Sequence, residues 1–161
     1  MNADKVVVVI DFQAFKSPNN EFIVKEVASF NGSQSLHCVF LPPCEFHELI
    51  IDCQRQVSWL SNKHHHLNWS DGYAPLDKLQ ELLGVAVRGA EQIYVKGREK
   101  AEFIENCLRQ QQLLHYPMVC EFAEQPALTA RSPHCPFHRH SKTFCALTNA
   151  HYLYTAIAKK N

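Results

Sequence analysis

Lys5-Val6-Val7-Val8-Val9-Ile10-Asp11-Phe12 is the stretch on which the reading of this chain turns. Its five central residues are all β-branched, and such side chains are stiff at χ1 and pack well on a pleated surface. The run does not alternate apolar with polar residues, so it predicts a strand covered on both faces, in the interior of a sheet. Two further strand-like runs follow, Glu21 to Phe30 and Leu36 to Leu41, separated by the turn signal Asn31-Gly32-Ser33. Together the three predict an antiparallel meander.

Pro42 and Pro43 end the third strand, because proline has no amide hydrogen to give to a ladder. Glu45 to Leu60 then carries Phe46, Leu49, Ile50, Cys53, Val57 and Leu60 at helical spacing. A loop passes through His64 and Gly72, and Pro75 suits the first turn of a second helix bearing Leu76, Leu79, Leu82 and Leu83. Gln92 to Val95 predicts a short strand reaching Gly97, residues 98–114 a helix, and Met118 to Phe122 a fifth strand. Arg131 to His140 reads as a loop, and Thr143 to Lys159 as a closing amphipathic helix. A meander followed by β-α-β crossovers is the chain order of an α/β fold with a ribonuclease H-like plan. That plan is a mixed five-stranded sheet, three strands antiparallel and two in crossovers, flanked by helices with right-handed connections.

Composition bounds what such a fold can do. The 161 residues, 46% hydrophobic, are enough for one well-buried core, and a single domain over 1–161 is expected. Sixteen basic and sixteen acidic side chains cancel, so any attraction to a phosphate backbone must come from a local patch. The apolar run after Asn2, Ala3, Asp4 and Lys5 is too short for a signal peptide or a membrane span, which predicts an intracellular protein, nuclear or cytoplasmic. Seven cysteines then read as reduced thiols or metal ligands.

The metal reading concentrates near the C-terminus. Cys135, His138 and Cys145 form C-x2-H-x6-C, three ligands of the kind zinc prefers within eleven residues, the last at the start of a predicted helix. His134, His140 and Cys120 are alternates, and plain buried thiols beside a surface histidine are the bland alternative. His64-His65-His66 reads as loop structure, and Asp11 as a lone carboxylate that must be paired or lie at the sheet's open end.

Val9-Ile10-Asp11-Phe12-Gln13, Ile23-Val24-Lys25-Glu26-Val27-Ala28 and His64-His65-His66 with Asp71-Gly72 together resemble the DEDDh exonucleases of the ribonuclease H-like superfamily. The resemblance makes Asp11, Gln13, Lys100 and His140 the remnant of a nuclease site. Gln13 stands at the second carboxylate, Lys100 at the central aspartate, and Cys145 where the last aspartate would follow His140. Mg2+ pairs need several anionic oxygens, so a conventional two-metal exonuclease is rejected. The same replacements resemble the Maelstrom domain, which has a Glu-Cys-His-Cys zinc set. Carried over, that set implies Glu26, Cys135, His138 and Cys145 as ligands of a structural Zn2+, with a role in small-RNA silencing or transposon control.

Lys96 and Arg98 around Gly97, with Arg131, Arg139 and Lys142 around the cysteine-histidine loop, form the candidate nucleic-acid contacts. Solvated surface charges are the alternative. Trp69, Tyr73 and Phe137 are candidates for stacking on unpaired bases. Three functions are therefore expected in competition. The first is a zinc-stabilised, exonuclease-derived domain that binds RNA, single-stranded or structured, or a silencing-pathway protein. The second is a metal-independent single-stranded RNA endonuclease, with histidines as acid and base. The third is a pure protein-interaction module.

Overall fold

The computed structural model describes residues 5–111, 119–122, 135–138 and 145–160. Its elements are β1 (Val7–Lys16), β2 (Phe22–Phe30), β3 (Ser35–Val39), α1 (Ile51–Lys63), α2 (Leu79–Ala86), β4 (Gln92–Lys96), α3 (Arg98–Gln110), β5 (Val119–Phe122) and α4 (Ala146–Lys160). They form a mixed, open five-stranded sheet in the order β3-β2-β1-β4-β5. β2 lies antiparallel to both β1 and β3, whereas β4 is parallel to β1 and to β5. The unalternating valine run is thus the central strand, covered on both faces as its composition demands.

On one face Val8, Ile10 and Phe12 of β1 pack with Leu83 of α2 and with Ile104 and Leu108 of α3. Phe12 is fully buried and meets Phe22 edge-on at 5.1 Å, a contact that adds to the roughly 2–3 kcal/mol from burying its ring. On the other face Val7 and Val9 pack under Ala146, Ala150 and Leu153 of α4, while Phe15 packs with Cys53 and Val57 of α1 and with Trp69. Between these two apolar clusters the same side of β1 presents Asp11 and Gln13, both buried. A polar band therefore crosses the α4 face of the sheet.

Several boundaries differ from the sequence expectation, each for a local reason. β1 continues past Phe12 to Lys16, because Phe15 keeps the strand period beyond the two polar residues. The first helix does not begin at Glu45. A single 3-10 turn, Phe46–Glu48, is closed by a reciprocal Glu45/Glu48 capping box, and extended backbone at Leu49 and Ile50 breaks the chain before α1. Pro75 likewise opens a 3-10 turn, Leu76–Lys78, ahead of α2. β3 ends at Val39, since Phe40 turns away to bridge Ala74 in parallel. Met118 and Thr143, expected to begin the fifth strand and the last helix, lie outside the described residues.

The β1–β2 register slips between Gln13 and Ala14, which face Glu26 and Val24, leaving Lys25 as the extra residue of a bulge. The slip sends the Lys25 side chain to the carbonyls of Phe40 (2.9 Å), Trp69 (2.6 Å) and Asp71. Burial draws its pKa down to about 8, opposed by the Asp71 charge, so at neutral pH it still carries the protons those three carbonyls accept. Lys25→Met would strand three carbonyl acceptors, two of them in buried contacts. A loss of about 2–4 kcal/mol in urea unfolding is expected, and a loss below about 0.5 kcal/mol would show that the clamp carries no stability.

Candidate metal centre

Glu26 enters the polar band from β2, opposite Gln13. The segment Cys135-Pro136-Phe137-His138 makes a turn that brings its first and last side chains to one point, with proline suited to the second position of such a turn. Cys145 is the residue before α4, and its carbonyl accepts the first helical bond, from Asn149 N at 2.9 Å. One ligand atom from each of Glu26, Cys135, His138 and Cys145 lies within 4.8 Å of the other three. Strand alternation, a tight turn and a helix start thus meet at one buried carboxylate.

The carboxylate holds the group together. Oε1 accepts from His138 Nε2 at 2.9 Å and from the Ala146 amide at 2.8 Å; Oε2 accepts from His37 Nε2 at 2.8 Å and from the Cys135 thiol at 3.1 Å, with Cys145 Sγ 3.7 Å away. Glu26 is completely buried, which alone would raise its pKa. Its bonds from His138 and His37, the His138 charge and the Ala146 amide outweigh that and hold the carboxyl well below the usual range. Its place at the N-terminus of α4 also favours negative charge.

The neighbours divide their protons accordingly. The hydrogen bond shared with Cys135, opposed by burial and reinforced by His138, draws Cys145 down to about 4, so its sulfur is a thiolate. The same bond, burial and the Glu26 charge push the Cys135 thiol up. Burial disfavours a charged His138, yet bonds with Cys145 and Glu26 raise it to about 10. Cys135 and His138 therefore each hold one proton that a ligand must give up. A dication replacing those two protons leaves the net charge of the pocket unchanged.

The donor set fits such an ion. A tetrahedron with bonds of about 2.0–2.3 Å has edges of about 3.3–3.8 Å; the Glu26–His138 and Glu26–Cys135 separations, 2.9 and 3.1 Å, lie just below that range, and the four ligand atoms all lie within 4.8 Å of one another. The outer contacts are those of a ligand set as well. His138 Nδ1 donates to the His65 carbonyl, which orients the ring with Nε2 toward the cluster, and the Cys135 amide donates to Cys145 Sγ at 3.4 Å. The four residues could hold a metal ion.

Asp11 and Lys100 also meet. Lys100, in the first turn of α3, donates to Asp11 Oδ1 at 3.1 Å and to the Phe12 carbonyl, while Asn149 Nδ2 donates to Oδ2 at 3.1 Å. An ammonium thus sits on the lone carboxylate. Gln13 is buried on the same face. His140, Arg131, Arg139 and Lys142 lie outside the described residues. Arg98 pairs with Glu102 of its own helix at 3.1 Å, which offsets the positive patch expected around Gly97, and Lys96 ends β4 half-buried. Tyr73 and Phe137 lie 6.1 Å apart, whereas Trp69 is buried with Nε1 donating to the Cys44 carbonyl at 2.8 Å.

Sequence reasoning passed over three participants. His37 became visible only through the β2–β3 register; Asn149 was readable, since it follows Cys145 by four residues on one helix; His65 was assigned to loop structure. No protein-family model matches the chain, and no curated protein matches it either.

His65 is fully buried and neutral. Its Nδ1 accepts from the Leu67 amide at 3.1 Å, which puts the proton on Nε2, where the nearby Ala14 carbonyl does not complete a well-formed hydrogen bond. Burial, with the charges of His64 and His138, lowers its pKa to about 3 against an ordinary 6.5. Between those values the unfolded chain binds a proton that the folded chain refuses, so stability rises with pH across that window, by at most about 1.4 kcal/mol per unit. His65→Leu should flatten the dependence of unfolding free energy on pH between about 4 and 6 by close to one proton; unchanged slopes would contradict the burial argument. For the second pair, Lys100→Met should cost about 3 kcal/mol by leaving Asp11 buried and uncompensated, and Asp11→Asn on the same chain should restore much of it. Additive losses in urea melts would show that the two side chains do not act as a pair.

Proposed function

We propose that the chain is a zinc-stabilised domain derived from the DEDDh exonucleases, of Maelstrom type and ribonuclease H-like fold, which binds single-stranded RNA without two-metal catalysis. The observation that carries this reading is the meeting of Glu26, from the second strand, with Cys135, His138 and Cys145 at the start of the last helix. The strand order and the position of that glutamate support the resemblance. Two thiolates, an imidazole and a carboxylate favour zinc over oxygen-seeking Mg2+, and four protein ligands close the coordination sphere, which makes the ion structural.

The second support is electrostatic. In a two-metal nuclease Asp11 would hold a cation together with further acids; here the Lys100 ammonium already neutralises it, and Gln13 supplies no charge. Such a site lacks the negative charge that assembles a two-metal reaction centre. A role in RNA silencing or transposon control follows from the Maelstrom resemblance alone, and a silencing-pathway protein is the competing partner.

Elemental analysis of the purified chain should find one zinc per molecule. Glu26→Ala and Cys145→Ser should lose most of it, together with thermal stability, because metal binding and folding are coupled at such sites. No Mg2+-dependent trimming of labelled RNA is expected from the wild type. A chain that folds normally and takes up no zinc at stoichiometric loading would sink the proposal.

A further inference from the structure

The donors that reach the Glu26 carboxylate fall into two kinds. The protons on His138 and Cys135 are those a metal ion would displace; the Ala146 amide on Oε1 and His37 Nε2 on Oε2, each at 2.8 Å, would remain. The amide belongs to the first turn of α4 and is fixed with the helix. By itself it leaves the carboxylate plane loosely set, because the last torsion of a glutamate is broad and lacks three staggered wells. A second donor on the other oxygen removes that freedom. The sheet places His37 to be that donor. Val39 faces Glu26 and His37 faces Ala28 in the β2–β3 register, so His37 is the diagonal neighbour of Glu26 on the α4 side. The small Ala28 side chain does not obstruct an imidazole leaning toward Glu26, and the Tyr73 hydroxyl holds the strand by donating to the His37 carbonyl at 3.1 Å.

We infer that His37 is a positioning residue of the metal centre: its hydrogen bond locks the plane of the Glu26 carboxylate, and so sets both the affinity for the ion and its tetrahedral geometry. The inference rests on the zinc reading above and adds a residue to it. His37 is not one of the four residues whose ligand atoms meet within 4.8 Å, so it acts on the carboxylate and not on the ion. The carboxylate is the ligand that most needs such help. His138 is already oriented by the His65 carbonyl, and each cysteine offers a single sulfur with no plane to set. A carboxylate free to turn can present both oxygens to one ion, which raises the coordination number and loosens the selection for zinc. The side chain of His37 is 18% exposed, against 0% for Glu26 and 2% for His138, so it is the water-facing partner of a buried ligand.

The test titrates the full chain with Zn2+ against a chelating indicator and, in parallel, with Co2+, whose visible absorption is strong in a tetrahedral site and weak at higher coordination. His37→Phe keeps a ring without the donor, and His37→Asn keeps an amide too short to reach Glu26. Each should bind Zn2+ about 10- to 100-fold more weakly. His37→Gln, whose amide nitrogen extends about as far as the imidazole Nε2, should recover most of that loss. Co2+ absorption per bound ion should fall in the first two variants and return in His37→Gln, a response that a change in stability alone does not produce. Where the first two fail to fold, His37→Gln decides: wild-type Co2+ absorption supports the inference and its loss overturns it. A wild type that binds no Zn2+ overturns the zinc reading and this inference together. A zinc-loaded wild type matched in affinity and absorption by His37→Phe overturns the positioning role alone, as does weaker binding with unchanged absorption.

Discussion

A carboxylate with no access to water must be answered by donors or cations, and Glu26 is such a group. His138 and Ala146 reach its Oε1, and His37 and the Cys135 thiol its Oε2, so residues from β2, β3, the Cys135–His138 turn and the start of α4 are tied to one charge. Much else follows from satisfying it. The turn must lie over the sheet at that point, α4 must begin there, and the His65 carbonyl must approach to fix the His138 ring. An arrangement that needs this many partners for one buried charge tolerates few alternatives, which gives the polar band a single geometry.

The band as a whole separates two kinds of electrostatic solution on one sheet face. Around Asp11 the compensating charge is a lysine, covalently part of the chain and always present. Around Glu26 it is a set of protons on a thiol and an imidazole, which are exchangeable for a metal ion at unchanged net charge. The first solution is permanent and makes the Asp11 end a poor site for a further cation. The second leaves the Glu26 end responsive to its surroundings. The β-bulge at Lys25 serves the second, because it lets Val24 return to the opposite face while Glu26 stays on the α4 side.

The order of elements was legible in the sequence because β-branched runs, helical spacing and the Asn31-Gly32-Ser33 turn are local signals. Boundaries were less so. The break before Ile51 depends on a capping box and extended backbone at Ile50, and the continuation of β1 to Lys16 on a Phe15 pocket formed by α1 and Trp69, which lie far along the chain. For the site, the cysteine-histidine cluster announced itself by spacing. Glu26 did not: a glutamate in a strand points to solvent as often as not, and it entered the candidate set only through a family resemblance. His37 carried no local signal, since its role comes from the pairing of β3 with β2.

By itself, then, the sequence determined a central strand hydrophobic on both faces, a meander ahead of crossover units, and three potential metal ligands close together near the end of the chain, because each of these is written in neighbouring residues. Tertiary structure alone decided which carboxylate those ligands would meet and that Lys100 would lie on Asp11. These depend on contacts between residues up to about 140 positions apart, such as Asn149 with Asp11, and on burial, which sets the charge each group can bear. Sequence spacing carries information on neither until the sheet has formed.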